Sequence, residues 1–242
     1  MTHSCEALPV LGETSDRLHP YDKIGTVANG SFQALRGRSY KVRDVNEPES
    51  TWIQEAQRGD RAAFAKLVES YQTMVYNLAY RMLGNAAEAE DAAQETFLRA
   101  YTRLHTYRPE YKFSTWLLSI ASHYCIDQLR RRRLTWLSTD EEPVRRALHA
   151  QMGAESPERA ALEAERREEI QAMLNALDPM YRAPIILRYW YDLSYREIAE
   201  VMGITEAAVK TRLHRARLQL ARHMQEGATD ATMPTTAANE SS

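Results

Sequence analysis

Only two cysteines, Cys5 and Cys125, occur in the 242 residues, and they lie far apart. A disulfide framework is therefore not what holds this fold, and a reducing, cytoplasmic compartment is expected. No apolar run approaches the ~18 residues of a membrane span. The N-terminus lacks the basic start, apolar stretch and small-residue cleavage site of a secretory signal, so none is expected. Strand-like alternation of useful length is missing throughout, which leaves helices as the building material. Lysine is scarce too: of 31 basic residues all but five are arginine. Arginine binds phosphate bidentately and stacks on aromatic faces, which lysine does less well.

Charge of one sign is also lacking, with a formal net of −2. That total argues against a chain coated in basic charge, but it hides segregation. Residues 1–50 carry a net −1, 51–84 a net +1, and 85–95 a net −4 from Glu88, Glu90, Asp91 and Glu95. Residues 96–133 carry a net +6, 140–169 a net −4, 170–204 a net −1, 205–222 a net +4 and 223–242 a net −3. Two basic blocks are thus separated by an acidic connector.

The organisation follows from periodicity. Residues 1–50 sustain no period and are expected to be an extension with little structure. From Trp52 the pattern is helical. Asp60 is an N-cap, and Phe64, Leu67, Val68, Tyr71, Val75, Leu78, Ala79 and Met82 repeat at three and four. Gly84 closes that helix. Asn85 with Glu88 opens the next as in a capping box. Ala89, Ala93, Phe97, Ala100, Tyr101 and Leu104 mark its buried face. A loop from His105 to Phe113 follows, and Ser114 is the expected cap of a long helix ending in Arg130–Arg133. Residues 136–160, with Pro143, Gly153 and Pro157 among charges, read as a linker of ~25–30 Å rms reach if flexible. Asp178–Pro179 starts a further helix, which Pro184 should bend or restart. The tail from Gly227 reads as disordered. The fold class is all-α: two small helical domains joined by a linker, at 51–135 and 161–226.

The strongest local signal is YREIAEVMGITEAAVKTRLHRARLQL, from Tyr195. Ala199 is small where two helices cross closely, and Gly203, four residues on, suits a turn that needs positive φ. Ile198, Met202, Ile204 and Val209 supply a shared core, and Leu213, Ala216 and Leu220 continue its stripe. This is a helix-turn-helix pattern. At 100° per residue, Ala207, Lys210, Thr211, His214 and Arg215 point outward, flanked by Arg212 and Arg217. Such a basic, hydrogen-bonding face fits the major groove and its phosphates. The alternative, a solvated basic face on a structural hairpin, does not account for the Ala–Gly spacing.

In the first block, Asp91, Gln94, Glu95 and Leu98 share a face opposite the buried one. An exposed leucine among carboxylates suggests a docking surface for a basic protein partner. In the helix from Ser114, Trp116, His123, Asp127 and Arg130 return to nearly one angle. Tyr107, Arg108, Tyr111, Lys112 and Phe113 precede them. Aromatics interleaved with phosphate-binding groups suit unpaired DNA; alternatively Trp116 and Phe113 belong to the core. His123 and Asp127 are one turn apart, but no further metal ligand is evident.

At these residues the sequence resembles the extracytoplasmic-function (ECF) sigma factors of bacterial RNA polymerase, over about Trp52 to Met224. DAAQETFLRAY from Asp91 resembles the core-polymerase-binding helix. Phe113 to Arg133 resembles the −10 promoter segment. LSYREIAEVMGITEAAVKTRLHRARLQL from Leu193 resembles the −35-binding helix-turn-helix. The resemblance implies that Asp91, Gln94, Glu95, Phe97 and Leu98 dock on core RNA polymerase. It assigns Lys112, Phe113, Trp116, His123, Asp127, Arg130 and Arg131 to the −10 element, and Arg188, Lys210, Thr211, Arg212, His214, Arg215 and Arg217 to the −35 element. It also implies promoter DNA and an anti-sigma factor as partners, no cofactor, and no catalytic site of the chain's own. Two positions depart from the family: His123 stands where asparagine is usual, and His214 where an aromatic is common. Residues 1–50 have no counterpart in its short members. A stand-alone helix-turn-helix regulator would need neither the acidic face nor the aromatic-basic block. A helical metalloenzyme using His123 and Asp127 is the third class.

Overall fold

The computed structural model describes residues 47–136 and 157–230. The extension before residue 47, most of the expected linker and the last twelve residues lie outside them. The described residues form helices and connecting turns, with no strand among them. In order these are α1 (Glu47–Gln57), α2 (Arg61–Leu83), α3 (Ala86–Arg103), a 3-10 turn (Leu104–Thr106), α4 (Phe113–Trp136), α5 (Pro157–Asn175), α6 (Pro179–Trp190), α7 (Tyr195–Met202) and α8 (Glu206–Asp230).

Local chemistry sets most boundaries. Asp60 Oδ1 accepts from the amide of Ala62 at 2.8 Å, which starts α2. Gly84 ends it in the left-handed region at φ 73, its N–H donating to Tyr80 O. Asn85 Oδ1 accepts from Glu88 N at 3.1 Å to start α3. Only that half of the expected capping box forms, because the Glu88 carboxylate turns to Arg132 instead. Asp178 caps α6, with Pro179 at its first position.

Three expectations change. Ser114 does not cap α4: the helix begins one residue earlier, and the Ser114 hydroxyl is buried without a partner. Pro184 does not restart α6, which is continuous from Pro179 to Trp190; it removes one internal bond while its ring is buried. And α8 continues past Gly227 to Asp230, into the expected tail.

The first unit packs α2 centrally against α1, α3 and α4. Val75, Leu78, Ala79, Met82, Ala89, Leu117 and Leu118 form its core. The buried Glu49 carboxylate accepts the Tyr71 hydroxyl proton, tying α1 to α2. The second unit packs α6, α7 and α8 around Ile185, Ile186, Ile198, Val209 and Leu213. The two cores merge into one cluster, with α7 on α4 and α5 and α6 on α2.

At that border Arg182 is 5% exposed. Its guanidinium donates to Met82 O in the last turn of α2. It also donates to Asn175 O at 3.0 Å and Leu177 O at 3.2 Å, at the end of α5. Two helix C-termini, each equivalent to ~0.5 of a negative charge, thus meet one cation. Burial, with the like charge of Arg132, lowers its pKa to about 10, so the group is still protonated at neutral pH.

Two features favour glycine at position 84. Its φ is left-handed, and a Cβ there would stand 3.2 Å from Asn175 Oδ1 and 3.2 Å from Gln171 Nε2. Gly84→Ala is expected to lower the unfolding free energy by ~1–2 kcal/mol from the left-handed backbone alone, read from urea midpoints. An unchanged midpoint would contradict the placement of this turn.

Candidate nucleic-acid interface

The acidic face of α3 is formed as the spacing requires. Asp91 and Gln94 are exposed, Glu95 and Phe97 are half-buried, and Leu98 is 59% exposed. Glu95 pairs with Arg99 at 2.7 Å, and the Arg99 guanidinium also covers the Tyr124 ring of α4 at 4.9 Å. Tyr101, expected on the buried face, is 39% exposed, with its ring edge against Phe64 at 4.9 Å.

The loop before α4 is pinned at both ends. Gln57 Nε2 of α1 donates to Leu104 O at 3.0 Å. The Tyr107 hydroxyl donates to Tyr111 O at 2.7 Å. Burial, then the charges of Glu49 and Glu110, pushes the Tyr107 phenol up to about 12, so it stays a donor at neutral pH. Beneath it Phe113 is 1% exposed, in ring contact with Tyr71, Tyr107 and Trp116 at 5.3–5.5 Å. Of the two aromatics left open by the sequence, Phe113 is core in this conformation, while Trp116 is half-buried at its edge.

Beyond Trp116 the same face of α4 presents His123, Asp127 and Arg130, all exposed, with Arg131 exposed beside them. His123 Nδ1 lies 2.7 Å from Ser119 O. A carbonyl only accepts, so Nδ1 carries the hydrogen of this bond. Lys112 is held by Glu197 of α7 at 3.3 Å. Among the described residues no group of three or more His, Cys, Asp or Glu side chains could hold a metal. Cys125 is buried in α4, and burial pushes its thiol up to about 12.

The helix-turn-helix is α7, a turn at Gly203 with φ 63, and α8. Ala199 is buried at the crossing. Ser194 and Glu197 form a full capping box at the start of α7, with amide bonds of 3.2 and 2.9 Å. The signal for it, Ser-x-x-Glu, stands in the sequence. Burial pushes the Glu197 carboxyl up, but bonds from Ser194 and the Lys112 ammonium together hold it below its ordinary value.

Lys210, Thr211 and Arg215 are exposed on α8; Arg212, His214 and Arg217 are half-buried. Thr211, Arg212 and Arg215, with Met180, Tyr181 and Ala208, line an open groove of about 390 Å³ between α6 and α8. Three tyrosines brace the candidate arginines. Arg215 Nη1 reaches the Tyr181 hydroxyl at 3.4 Å and Arg217 Nε the Tyr189 hydroxyl at 3.2 Å. Arg188 lies over the Tyr195 ring at 5.5 Å and donates to Leu193 O at 2.9 Å. Arg188 and Arg217 therefore also hold α6, α7 and α8 together. Aromatic residues beside arginines were the available sign of this bracing.

Comparison with known proteins agrees in order and position. Residues 67–135 match the family model Sigma-70 region 2, and residues 167–220 match Sigma-70, region 4. The chain is 38% identical to the ECF RNA polymerase sigma factor SigW of Bacillus subtilis, over 72% of this chain and 95% of that protein. It is 35% identical to the ECF sigma factor SigE of Mycolicibacterium smegmatis, over 78% of this chain and 75% of that one. Its fold resembles CnrH, solved with the cytosolic domain of CnrY, at a TM-score of 0.55 and 24% identity, over 77% of this chain and 100% of that chain. It also resembles RpoE of Bartonella quintana, solved with the anti-sigma factor NepR, at 0.53 and 22%, over 67% and 96%. Both models, the relatives at 35–38% identity, the exposed acidic face of α3 and the helix-turn-helix of α7 and α8 lead to one conclusion: the chain belongs to the ECF sigma factors, which direct RNA polymerase to promoters at the start of transcription.

Proposed function

We propose the following division of labour among its residues. The face of α3 carrying Asp91, Gln94, Glu95, Phe97 and Leu98 docks on core RNA polymerase. The loop and outer face of α4, with Lys112, Trp116, His123, Asp127, Arg130 and Arg131, take the −10 element. The outer face of α8, with Lys210, Thr211, Arg212, His214 and Arg215, takes the −35 element, and Arg188 and Arg217 reach phosphates at its edge. The first unit, 51–135, acts as region 2 and the second, 161–226, as region 4. The chain contributes no catalytic group; the polymerase supplies nucleotidyl transfer. It works in the cytoplasm, and an anti-sigma protein is a further partner, as one is for the Bartonella quintana relative.

The observation that carries this reading is Leu98, 59% exposed within an acidic face, while Lys210, Thr211 and Arg215 are exposed on a separate helix. A stand-alone regulator has a use for the second feature and none for the first. Phe113 would join the −10 face only if the loop above it rearranges.

Leu98→Ala should weaken assembly with core polymerase by at least several-fold, with an unchanged unfolding midpoint. Equal assembly by gel filtration would remove α3 from the docking site. Arg215→Ala should cost ~1–3 kcal/mol in binding a −35 duplex if the contact is to a base, with stability within ~0.5 kcal/mol of the parent. Arg217→Ala should lower stability as well, through loss of its bond to Tyr189. Fluorescence anisotropy beside urea unfolding separates the two. Arg215→Ala binding the duplex as the parent does would take Arg215 out of the site.

A further inference from the structure

We propose that Gln57, the last residue of α1, is a positioning residue for the −10 element: its side-chain amide fixes the backbone of Tyr107 and, through the Tyr107 ring, the aromatic wall beside Trp116. Gln57 acts without touching DNA, and its functional role rests on the −10 assignment above.

Short-range bonds shape the loop between the 3-10 turn and α4. Thr106 Oγ1 donates to Arg103 O at 2.7 Å, Tyr107 N to Leu104 O at 3.1 Å, and Tyr111 N to Arg108 O at 3.2 Å. The Tyr107 hydroxyl donates to Tyr111 O at 2.7 Å. Bonds that span three or four residues set a turn, but they do not place it on the rest of the fold. Placement comes from α1. Gln57 Nε2 donates to Leu104 O at 3.0 Å and to Tyr107 O at 3.4 Å, 47 and 50 residues away in sequence. A primary amide carries two N–H groups, so one side chain serves both carbonyls. Leu104 O also accepts from Tyr107 N. Both backbone polar groups of Tyr107 are therefore tied to Gln57, one directly and one through a shared carbonyl. At the far end of the loop Lys112 pairs with Glu197 of α7; the tie from Gln57 lies within the first unit, which carries the −10 face.

The base of this tie is firm. Ile53 and Ala56 of α1 are buried in the core. After Gln57 the chain turns at Gly59, φ 98, with Gly59 N on Ala56 O at 3.0 Å and Asp60 N on Glu55 O at 3.0 Å. The Gln57 backbone is thus fixed between two helices, and only its side chain has to be ordered.

What Gln57 holds is one side of the aromatic cluster. Tyr107 is buried, its ring edge-on to Phe113 at 5.3 Å and tilted against Trp116 at 5.5 Å. Trp116 is the half-buried aromatic at which the −10 stripe of α4 begins. Tyr71, whose hydroxyl is held by the buried Glu49 carboxylate of α1, meets Phe113 at 5.4 Å. Helix α1 therefore grips the cluster twice, by Glu49 through Tyr71 and by Gln57 through Tyr107. A wall already in place needs no ordering when an unpaired strand arrives. Gln57 itself is exposed. Replacing it opens no cavity, so an effect on the loop is separable from an effect on folding.

Hydrogen exchange in the full chain, beside promoter opening by the chain with core polymerase, tests this. Gln57→Met keeps the length and loses both donors, whereas Gln57→Arg keeps donors. Gln54→Arg adds the same charge one turn away at an exposed position and serves as the control. In Gln57→Met the amides of residues 105–112 should exchange about two- to ten-fold faster, the effect of losing one net hydrogen bond. Those of α2 and α8 should be unchanged. Opening is read as permanganate reactivity of thymines in the −10 region, on a genomic promoter from which the chain and core polymerase transcribe. In Gln57→Met it should fall by about two-fold or more, with −35 duplex binding, core assembly and the unfolding midpoint as in the parent. Gln57→Arg should restore slow exchange and opening, and Gln54→Arg should match the parent. Unchanged loop exchange in Gln57→Met overturns the tie. Faster exchange with opening unchanged or increased overturns the positioning role. An equal loss of −35 binding, or a Gln57→Arg that fails to restore opening, overturns it as well. Should Trp116→Ala leave opening unchanged, the −10 assignment falls, while faster loop exchange in Gln57→Met would still establish the tie.

Discussion

One guanidinium joins the two halves of this molecule. Arg182 sits where α2 and α5 end against each other, donating to Met82 O on one side and to Asn175 O and Leu177 O on the other. Helix ends bring unpaired carbonyls and partial negative charge, and two of them cannot meet in a buried place without a cation or water. The side chain that satisfies them carries the cost of its own desolvation, visible in a pKa lowered to about 10. The neighbouring geometry follows from this junction. Gly84 turns in the left-handed region, and a Cβ there would press on the Asn175 and Gln171 side-chain ends at 3.2 Å. Tyr191 can then reach Met74 O, and α7 comes to rest on α4.

The proposed functional faces lie on what the junction leaves outside. Three helices each bury one stripe and present another: α3 an acidic stripe with Leu98, α4 an aromatic-to-basic stripe, α8 a basic one. The near-zero net charge is thus the sum of segments of opposite sign. On the proposed reading, the basic charge of α4 and α8 serves phosphates, while the acidic face of α3, which precedes both, offers a basic partner protein a place to dock. Bracing by Tyr181, Tyr189 and Tyr195 keeps arginine side chains directed across the second unit, so less freedom is lost when they meet a phosphate.

Much of this was legible in the sequence, for physical reasons that can be named. Caps and turns act locally, so Asp60, Gly84, Asn85, Asp178 and Gly203 marked their boundaries directly. Periodicity placed the stripes of α3 and α8. Ser114 misled because a good capping residue one position inside a helix looks the same as one at its start; its neighbour Phe113 is drawn into an aromatic cluster that begins the helix earlier. Pro184 did not restart the helix, because one missing internal bond leaves the rest of the α6 ladder in place. Tyr101 was assigned inward by spacing alone, yet it stays 39% exposed, with its ring edge against Phe64. The role of Arg182 had no local signal. Its partners are up to 100 residues away in sequence, and such pairings become visible only when the helices are packed.

The chain is a subunit that confers promoter choice on a polymerase, and we propose that it does so through separate docking and DNA faces. Run-off transcription with purified components measures that claim most directly. The full chain and bacterial core RNA polymerase together should produce transcripts from discrete start sites on a library of genomic promoters, and neither alone should do so. No stimulation on any template, with the chain folded and the core active with another initiation factor, would contradict it.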